Sequence, residues 1–276
     1  MATFELTLPD GAVLRGHVEG HGPDMLLVSG LGGAGAFWTP VVDALADRFR
    51  LIRFDQRGIG ASTRGTEPCT IATLAADAGA ILAHLDAERT TLVGHSTGGC
   101  IIQEMALADP SRIAGLVLTG AWAAPNRFMT ELFHARLRIL RTEPRDYAAM
   151  GVFLGYAAEW LDRNWAVFDA AVAAAPVTPA AQTIVAERIE ALLAFDRSRD
   201  LGAIRVPCAI VGAEDDLIVP AFLQRELSRL LPDAPLEMFE SGGHFFPLTR
   251  RERFVELVAR WAFGFAGQVG GSAARA

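Results

Sequence analysis

The sequence predicts an α/β protein with a doubly wound, mostly parallel eight-stranded sheet and an inserted helical lid. Short, continuously apolar segments alternate with amphipathic helical patterns, which is typical of a buried parallel sheet with helices on both faces. One interval between two such segments is much longer than the rest and is helical in character. After an N-terminal hairpin, the predicted strands are 25–28, 50–54, 91–93, 115–119, 207–211 and 235–239.

The N-terminal segment alternates apolar and polar residues about a turn. Phe4 and Leu6 alternate with polar neighbours before Pro9-Asp10-Gly11, and a second alternating stretch covers residues 13–18. A period of two indicates half-buried strands, and Pro-Asp-Gly favours a turn between them. These residues predict an antiparallel hairpin at the start of the sheet.

Helical patterns fill most of the intervals between the predicted strands. Apolar residues at spacings of three and four form stripes that indicate helix faces buried against the sheet. The two clearest stripes are Leu74, Ala78, Ile81, Leu82 and Leu85, and Phe254, Leu257, Val258, Trp261 and Phe265.

The long interval comprises residues 121–200, about eighty residues where other strands are about twenty-five to forty apart. It is rich in alanine, arginine and aromatic residues, and Pro144, Pro176 and Pro179 divide it into helices. We therefore expect an α/β core from residues 1–120 and 201–266. Residues 121–200 form the predicted helical cap, or lid, and residues 267–276 the predicted flexible tail.

Composition excludes several kinds of chemistry. All 25 basic residues are arginine, so the chain has no lysine for a Schiff base, a P-loop or a Ser-Lys dyad. The net charge of −7 comes without a basic cluster, which argues against a nucleic-acid partner. The three cysteines are widely separated and support neither a disulfide framework nor a metal site.

The same features set expectations for partners and location. No apolar run has the roughly 18 residues of a membrane span, and the N-terminal residues lack a signal-peptide pattern. We expect a cytoplasmic protein that acts on a small-molecule substrate, with no membrane partner, no metal and no cofactor. A homodimer stays open.

The strongest functional motif is Gly94-His95-Ser96-Thr97-Gly98-Gly99, which lies between a predicted strand and a helical pattern. This spacing predicts a nucleophile elbow, a strained turn that exposes the Oγ atom of Ser96. The glycines let the strand and the helix pass closely. The helix that follows would direct its free N–H groups at the reacting centre, where negative charge develops during acyl transfer.

A serine nucleophile needs a histidine base and an acid that orients that base. His95 directly precedes Ser96, and we expect its side chain to point away from the pocket. His244 follows the last predicted strand, so it lies at the same sheet edge as Ser96. The preceding strand ends at three consecutive acidic residues, Glu214, Asp215 and Asp216.

The loop Ser29-Gly30-Leu31-Gly32-Gly33 follows the strand at 25–28. Its glycines allow the backbone to face the pocket, so we expect the Leu31 N–H to form an oxyanion hole with the Thr97 N–H. A phosphate cradle is the alternative for such a loop, but no Gly-Lys-Ser/Thr sequence follows.

Together these motifs resemble the α/β-hydrolase fold superfamily over nearly the whole chain. The loop at 29–33 resembles the family's His-Gly-x-Gly loop, with Ser29 in place of histidine. The segment 55–62 resembles its Asp-x-Arg-Gly-x-Gly-x-Ser turn, which we interpret as structural. The chain order of serine, acid and histidine also matches the family.

The family pattern leaves the acid open between two residues. Spacing from Pro207 and Pro220 selects Asp216, whereas counting from Gly212 selects Asp215. We expect Asp216.

Within the superfamily, the sequence is most similar to aminoacrylate hydrolases of uracil breakdown and to enol-lactone hydrolases. This likeness implies a cofactor-free enzyme that acts on a small organic acid at an ester-like or carbon–nitrogen bond. It also implies that an arginine of the lid, Arg127, Arg136, Arg163 or Arg188, holds a substrate carboxylate. The residues that we expect to contact substrate are Gly30, Trp122, Phe128, Arg136 and Trp160.

The leading hypothesis is a serine hydrolase with Ser96, His244 and Asp216 as its triad. Two alternatives stay open. The same triad could cleave a carbon–carbon bond in a dienoate or β-diketone, or the fold could serve as a ligand receptor without turnover. Dehalogenase and epoxide hydrolase chemistry need a carboxylate at the nucleophile position, which Ser96 does not supply.

Overall fold

The computed structural model describes residues 1–268. Eight strands form one sheet in the order β1-β2-β4-β3-β5-β6-β7-β8. The strands are β1 (Ala2–Thr7), β2 (Val13–Glu19), β3 (Asp24–Val28), β4 (Arg50–Asp55), β5 (Thr90–His95), β6 (Ile113–Thr119), β7 (Cys208–Ala213) and β8 (Leu236–Phe239). β2 pairs antiparallel with β1 and β4, and all other neighbours are parallel. The predicted hairpin and doubly wound sheet are confirmed.

Eleven α-helices surround this sheet within the described residues. They are α1 (Thr39–Ala46), α2 (Ile71–His84), α3 (Thr97–Ala108), α4 (Arg127–Thr142), α5 (Pro144–Gly155), α6 (Ala158–Asp162), α7 (Ala166–Ala173), α8 (Pro179–Ala194), α9 (Ala221–Leu230), α10 (Phe246–Thr249) and α11 (Arg251–Gln268). α11 includes the first two residues of the predicted tail, 267 and 268. The remaining residues of that tail, 269–276, lie outside the described residues.

Strand alternation divides the apolar core into two clusters, one on each face of the sheet. In β3, Leu26 and Val28 belong to the cluster that also contains the apolar faces of α2 and α3. Met25 and Leu27 belong to the other cluster, with the apolar faces of α1 and α11. Both faces of each central strand are therefore covered, which explains why these strands are apolar throughout.

The segment between β6 and β7 contains helices α4 to α8, and we call residues 121–200 the insertion. Met129 and Phe133 of α4 and Ile189 of α8 are buried in the same apolar cluster as α2 and α3. The insertion is thus packed on the core. That it acts as a lid stays a prediction.

Within residues 1–268, no helix is long and apolar enough to cross a membrane.

A buried ion network supports the turn at 55–62. The Arg57 guanidinium donates two hydrogen bonds to the Asp77 carboxylate of α2, at 2.6 and 2.7 Å, and one to Asp10 at 2.8 Å. The N–H of Glu67 also donates to Asp10, and these bonds hold the pKa of Asp10 well below its usual value. The network joins the hairpin turn, this turn and α2, which agrees with a structural role.

β5 and α3 cross the end of β3 at very short distance. A Cβ atom on Gly98 would lie 2.1 Å from the carbonyl oxygen of Val28, and one on Gly94 would lie 2.3 Å from the carbonyl oxygen of Gly98. Both obstacles are backbone atoms, which cannot move aside as a side chain can. The junction therefore depends on the absence of side chains at these positions.

A pair of glycine-to-alanine substitutions tests this dependence. Gly98→Ala is expected to lower the free energy of unfolding strongly or prevent folding, because backbone atoms of β3 occupy the new methyl group's position. Gly79→Ala in α2 is the matched control, since nothing lies within 4 Å of its Cβ position. It should raise stability by about 0.5–1 kcal/mol. Equal unfolding midpoints for the two variants in denaturant would contradict the packing argument.

Candidate active site

Ser96 lies at the junction between β5 and α3 with a left-handed backbone conformation, φ +56° and ψ −123°. Such a conformation costs a non-glycine residue about 1–3 kcal/mol, so the surroundings must hold it. The N–H of Ser96 donates to the carbonyl of Thr119 at 2.8 Å, and its carbonyl accepts from the N–H of Gly99 at 2.8 Å. Ser96 is the N-cap residue of α3, so its side chain lies at the positive end of a twelve-residue helix.

His244 lies in the loop after β8 and is paired with Asp216, which follows β7. The Nδ1 atom of His244 is 2.7 Å from Oδ2 of Asp216, and both side chains are buried. The other carboxylate oxygen accepts hydrogen bonds from the N–H groups of Ile218 and Val219, at 2.9 and 2.8 Å. An imidazole that donates to this carboxylate carries its proton on Nδ1, so Asp216 fixes the orientation and the tautomer of the ring. Nε2 is left as the basic nitrogen.

The neighbouring Asp215 has a different task. Its two carboxylate oxygens accept from the N–H groups of Gly242 and Gly243, at 3.0 and 2.9 Å. Asp215 therefore holds the backbone of the loop that carries His244, while Asp216 holds the imidazole ring. Of the two acids that the sequence leaves open, the geometry brings Asp216 to His244.

A cavity of about 670 Å³ lies over Ser96 and His244, within the usual range of small-molecule sites. Both residues line it, together with the loop at 29–33 after β3. Most of its remaining wall is apolar and comes from the insertion. Insertion residues that line it include Phe133, Tyr147, Val152, Val167, Ala171, Ala175, Ile184 and Val185.

Gly30 packs directly against the nucleophile position. A Cβ atom on Gly30 would lie 2.9 Å from the Cβ and 3.4 Å from the Oγ of Ser96. Among the described residues, the N–H of the next residue, Leu31, has no protein acceptor. The N–H of Thr97 opens helix α3, where no intrahelical acceptor exists. Thr97 follows Ser96 in sequence, and Leu31 follows Gly30, which packs against Ser96, so both N–H groups belong to segments next to this serine.

Comparison with known proteins identifies the family of this chain. Residues 23–250 match the family model described as the alpha/beta hydrolase fold. The chain belongs to the α/β-hydrolase family. It is an enzyme of the hydrolase class, and the relatives support action on C–N or C–O bonds.

Several sequence relatives of this hydrolase carry the name "Putative carbamate hydrolase RutD". The protein from Azorhizobium caulinodans is 34% identical, over 91% of this chain and 94% of its own length. The protein from Variovorax paradoxus is 39% identical, over 88% of this chain and 96% of its own length.

Two solved structures share the fold of this hydrolase. A hydrolase from Pseudomonas aeruginosa superposes with a TM-score of 0.83 at 26% identity, covering 96% of this chain and 98% of the other. The enol-lactonase from Burkholderia xenovorans gives the same TM-score at 24% identity, covering 93% of this chain and 98% of the other.

Arg136 of α4 is the insertion arginine that lines the cavity of this hydrolase. Its guanidinium is buried and lies 4.7 Å from the ring centre of Tyr147 and 5.4 Å from that of Phe133. Within the described part of the chain, no carboxylate pairs with it and its Nε atom has no hydrogen-bond partner. A buried cation without a partner is costly, and an anionic ligand would offset this cost.

Three aromatic residues that the sequence suggested for substrate contact lie elsewhere. Trp122 is fully buried in the core cluster, with its carbonyl bonded to Gln103. Phe128 is half-exposed at the start of α4. Trp160 stacks on Tyr156, with 4.9 Å between the ring centres, and of these two residues only Tyr156 lines the cavity. None of the three contributes to the cavity wall.

The four arginines that the sequence offered for carboxylate binding divide into two groups by burial. Arg127 and Arg163 are exposed at the surface, where a guanidinium is solvated. Arg136 and Arg188 are buried. Arg188 does not line the cavity; its guanidinium contacts the loop at 29–33 from behind. The sequence alone gave no means of separating these four residues.

The expectation that the His95 side chain points away from the pocket stays a prediction. Its ring lies 4.7 Å from that of His244 and stacks on Phe37 at 5.0 Å, and His95 is among the residues that line the cavity. Burial, with His244 close by, lowers the pKa of His95 well below the usual value, so the ring stays neutral.

Proposed function

We propose that this protein is a cofactor-free serine hydrolase that cleaves an ester-, lactone- or amide-like bond of a small organic acid. The observation that supports it most is the arrangement at one end of the cavity. Ser96 sits on a left-handed strand-to-helix junction, and His244, whose Nδ1 is held by Asp216, lines the same cavity. These are the nucleophile, base and orienting acid of a Ser-His-Asp triad.

The proposed mechanism has two halves. His244 accepts the hydroxyl proton of Ser96 on Nε2 while Oγ attacks the substrate carbonyl carbon, giving a tetrahedral oxyanion. The imidazolium then passes that proton to the leaving oxygen or nitrogen as the bond to carbon breaks. A water molecule, deprotonated by His244, attacks the acyl-enzyme and releases the acid. Asp216 stabilises the imidazolium in both halves.

The negative oxygen of the tetrahedral species is held by two backbone donors in this proposal. They are the N–H groups of Leu31 and Thr97, which approach Ser96 from β3 and from the start of α3. Loss of one such donor typically lowers kcat by about 10²–10³-fold. The positive end of α3 adds to the same stabilisation.

The proposed substrate class follows from the charge and polarity of the cavity. Arg136 is a buried cation that no acidic side chain of the described residues neutralises, and the wall around it is largely apolar. A substrate with a carboxylate and a small apolar body complements both features. The printed name of the sequence relatives, carbamate hydrolase, favours a carbon–nitrogen bond.

Covalent labelling provides the direct test of the nucleophile. Treatment with a fluorophosphonate is expected to add one label per wild-type chain, detected by intact mass, because an activated serine attacks phosphorus. Ser96→Ala should take up no label, keep the far-ultraviolet circular dichroism of the wild type and lose turnover of 4-nitrophenyl acetate. An unlabelled but folded wild type would favour a non-catalytic receptor instead.

The two aspartates should separate kinetically. Asp216→Asn is expected to lower kcat by about 10⁴-fold, because the neutral amide no longer fixes the His244 tautomer or stabilises the imidazolium. Asp215→Asn should act chiefly on stability, costing about 1–3 kcal/mol as a loop N–H loses its acceptor. Initial rates and thermal unfolding of both variants distinguish these effects. A larger loss of kcat in Asp215→Asn would reverse the assignment.

The role of Arg136 can be tested with paired substrates. The 4-nitrophenyl monoester of succinic acid carries a free carboxylate, and 4-nitrophenyl pentanoate is a neutral ester of similar length. Arg136→Gln should lower kcat/KM for the succinate ester about 10- to 100-fold, the effect of one charged hydrogen bond, and leave the neutral ester within about threefold. Arg138→Gln, on the exposed face of the same helix, is the control. Equal losses on both esters would exclude carboxylate recognition by Arg136.

A further inference from the structure

We propose that Arg188 of α8 is a positioning residue that orients one donor of the proposed oxyanion hole, the Leu31 N–H. It does so by binding the backbone carbonyls of the loop that carries the Leu31 N–H. This inference rests on the proposed function, because it makes Arg188, a residue of the insertion, responsible for orienting the Leu31 N–H as an oxyanion donor. Its consequence is that the insertion completes the active site and does not only cover it.

The contacts of Arg188 are made almost entirely to this loop. Its Nε atom donates to the carbonyl of Leu31 at 2.7 Å, and one terminal nitrogen donates to the carbonyl of Gly30 at 3.3 Å. The same nitrogen donates to the side-chain carbonyl of Gln56, whose amide nitrogen donates to the carbonyl of Ser29 at 2.8 Å. Three consecutive carbonyls, those of residues 29, 30 and 31, are thereby held from one side.

Peptide geometry links these carbonyls to the proposed catalytic donor. The carbonyl of Gly30 and the N–H of Leu31 belong to one planar peptide unit, and the described chain contains no cis peptide bond. In a trans unit these two groups point in opposite directions. The Gly30 carbonyl accepts from Arg188 and also from the N–H of Gly33, at 3.3 and 3.0 Å, so these donors together direct the Leu31 N–H to the opposite side of the loop. Gly30 itself contacts Ser96, which fixes the distance on that side.

The burial of Arg188 is not explained by an ion pair. Only 1% of its surface is exposed, and within residues 1–268 no carboxylate lies within salt-bridge distance of it. A buried guanidinium is unfavourable unless hydrogen bonds or charges compensate it. Backbone carbonyls supply only part of that compensation, and one terminal nitrogen has no partner among the described residues. Its positive charge behind the loop would also favour a negative oxygen in front of it.

The neighbouring residue of α8 offers a matched control. Glu187 pairs with Arg64 of the core at 2.7 and 2.9 Å, so this contact also joins the insertion to the core, but it does not touch residues 29–31. Arg64→Gln therefore weakens insertion-to-core attachment at the next residue. Arg188→Gln removes the loop contacts.

The experiment compares three variants: Arg188→Gln, Arg188→Lys and Arg64→Gln. For each we would measure kcat and KM on 4-nitrophenyl acetate, inhibition by phenylboronic acid and thermal unfolding. Phenylboronic acid forms a tetrahedral anionic adduct with an active serine, so its affinity reports the oxyanion hole. For Arg188→Gln we expect kcat to fall about 100-fold, KM to change less than about threefold and boronate affinity to fall in parallel with kcat. Arg64→Gln should keep wild-type kcat and boronate affinity.

Arg188→Lys keeps the charge and one donor but not the forked geometry. We expect it to fold and to restore part of the lost kcat and boronate affinity, which a purely structural role would not produce. Wild-type kcat and boronate affinity in Arg188→Gln would overturn the inference, as would equal losses in Arg64→Gln. Failure of the wild type itself to take up fluorophosphonate would instead refute the proposed function, so the two failures are distinguishable.

Discussion

The proposed active site depends on the backbone conformation of one residue, Ser96. Its left-handed φ lifts the hydroxyl out of the line of β5 and at the same time starts α3. The conformation is unfavourable by itself, so it requires a fixed frame on every side. The frame consists of backbone atoms from β3, β6 and α3 that meet at Gly94 and Gly98. Any side chain at these glycines would separate the elements that hold the serine.

The other functional groups converge on Ser96 because parallel strands end at the same edge of the sheet. Leu31, Asp216 and His244 follow β3, β7 and β8, and each reaches the site from its own loop. The loop with His244 is the longest of these approaches, and two adjacent aspartates stabilise it in different ways. One binds its backbone and the other its imidazole ring. Orientation of the base and position of its loop are thereby controlled separately.

The insertion contributes charge as well as apolar surface. Its two buried arginines have different surroundings: Arg136 faces the cavity between aromatic rings, and Arg188 faces backbone carbonyls of the core. Because the chain contains no lysine, every buried cation presents a planar fork of donors, which suits carboxylates and paired carbonyls. Substrate recognition and oxyanion geometry would then both depend on how the insertion is seated.

The sequence by itself determined the fold class, the hairpin, the order of strands and helices and the identity of the elbow. These follow from local periodicity and from motifs whose residues are contiguous. It also limited the acid to two neighbours and the base to one loop. Its substrate-contact residues Trp122, Phe128 and Trp160 do not line the cavity, because orientation there depends on packing partners distant in sequence.

Only the tertiary structure decided the remaining questions. Asp215 and Asp216 are chemically identical and adjacent, so their tasks differ only through the loop that folds back from β8. The four arginines that the sequence offered for carboxylate binding, Arg127, Arg136, Arg163 and Arg188, could not be ranked from their sequence context. Burial against the core, which arises when α4 and α8 pack on the sheet, separates Arg136 and Arg188 from the solvated pair. Local pattern sets which elements form, whereas long-range packing sets which side chains meet.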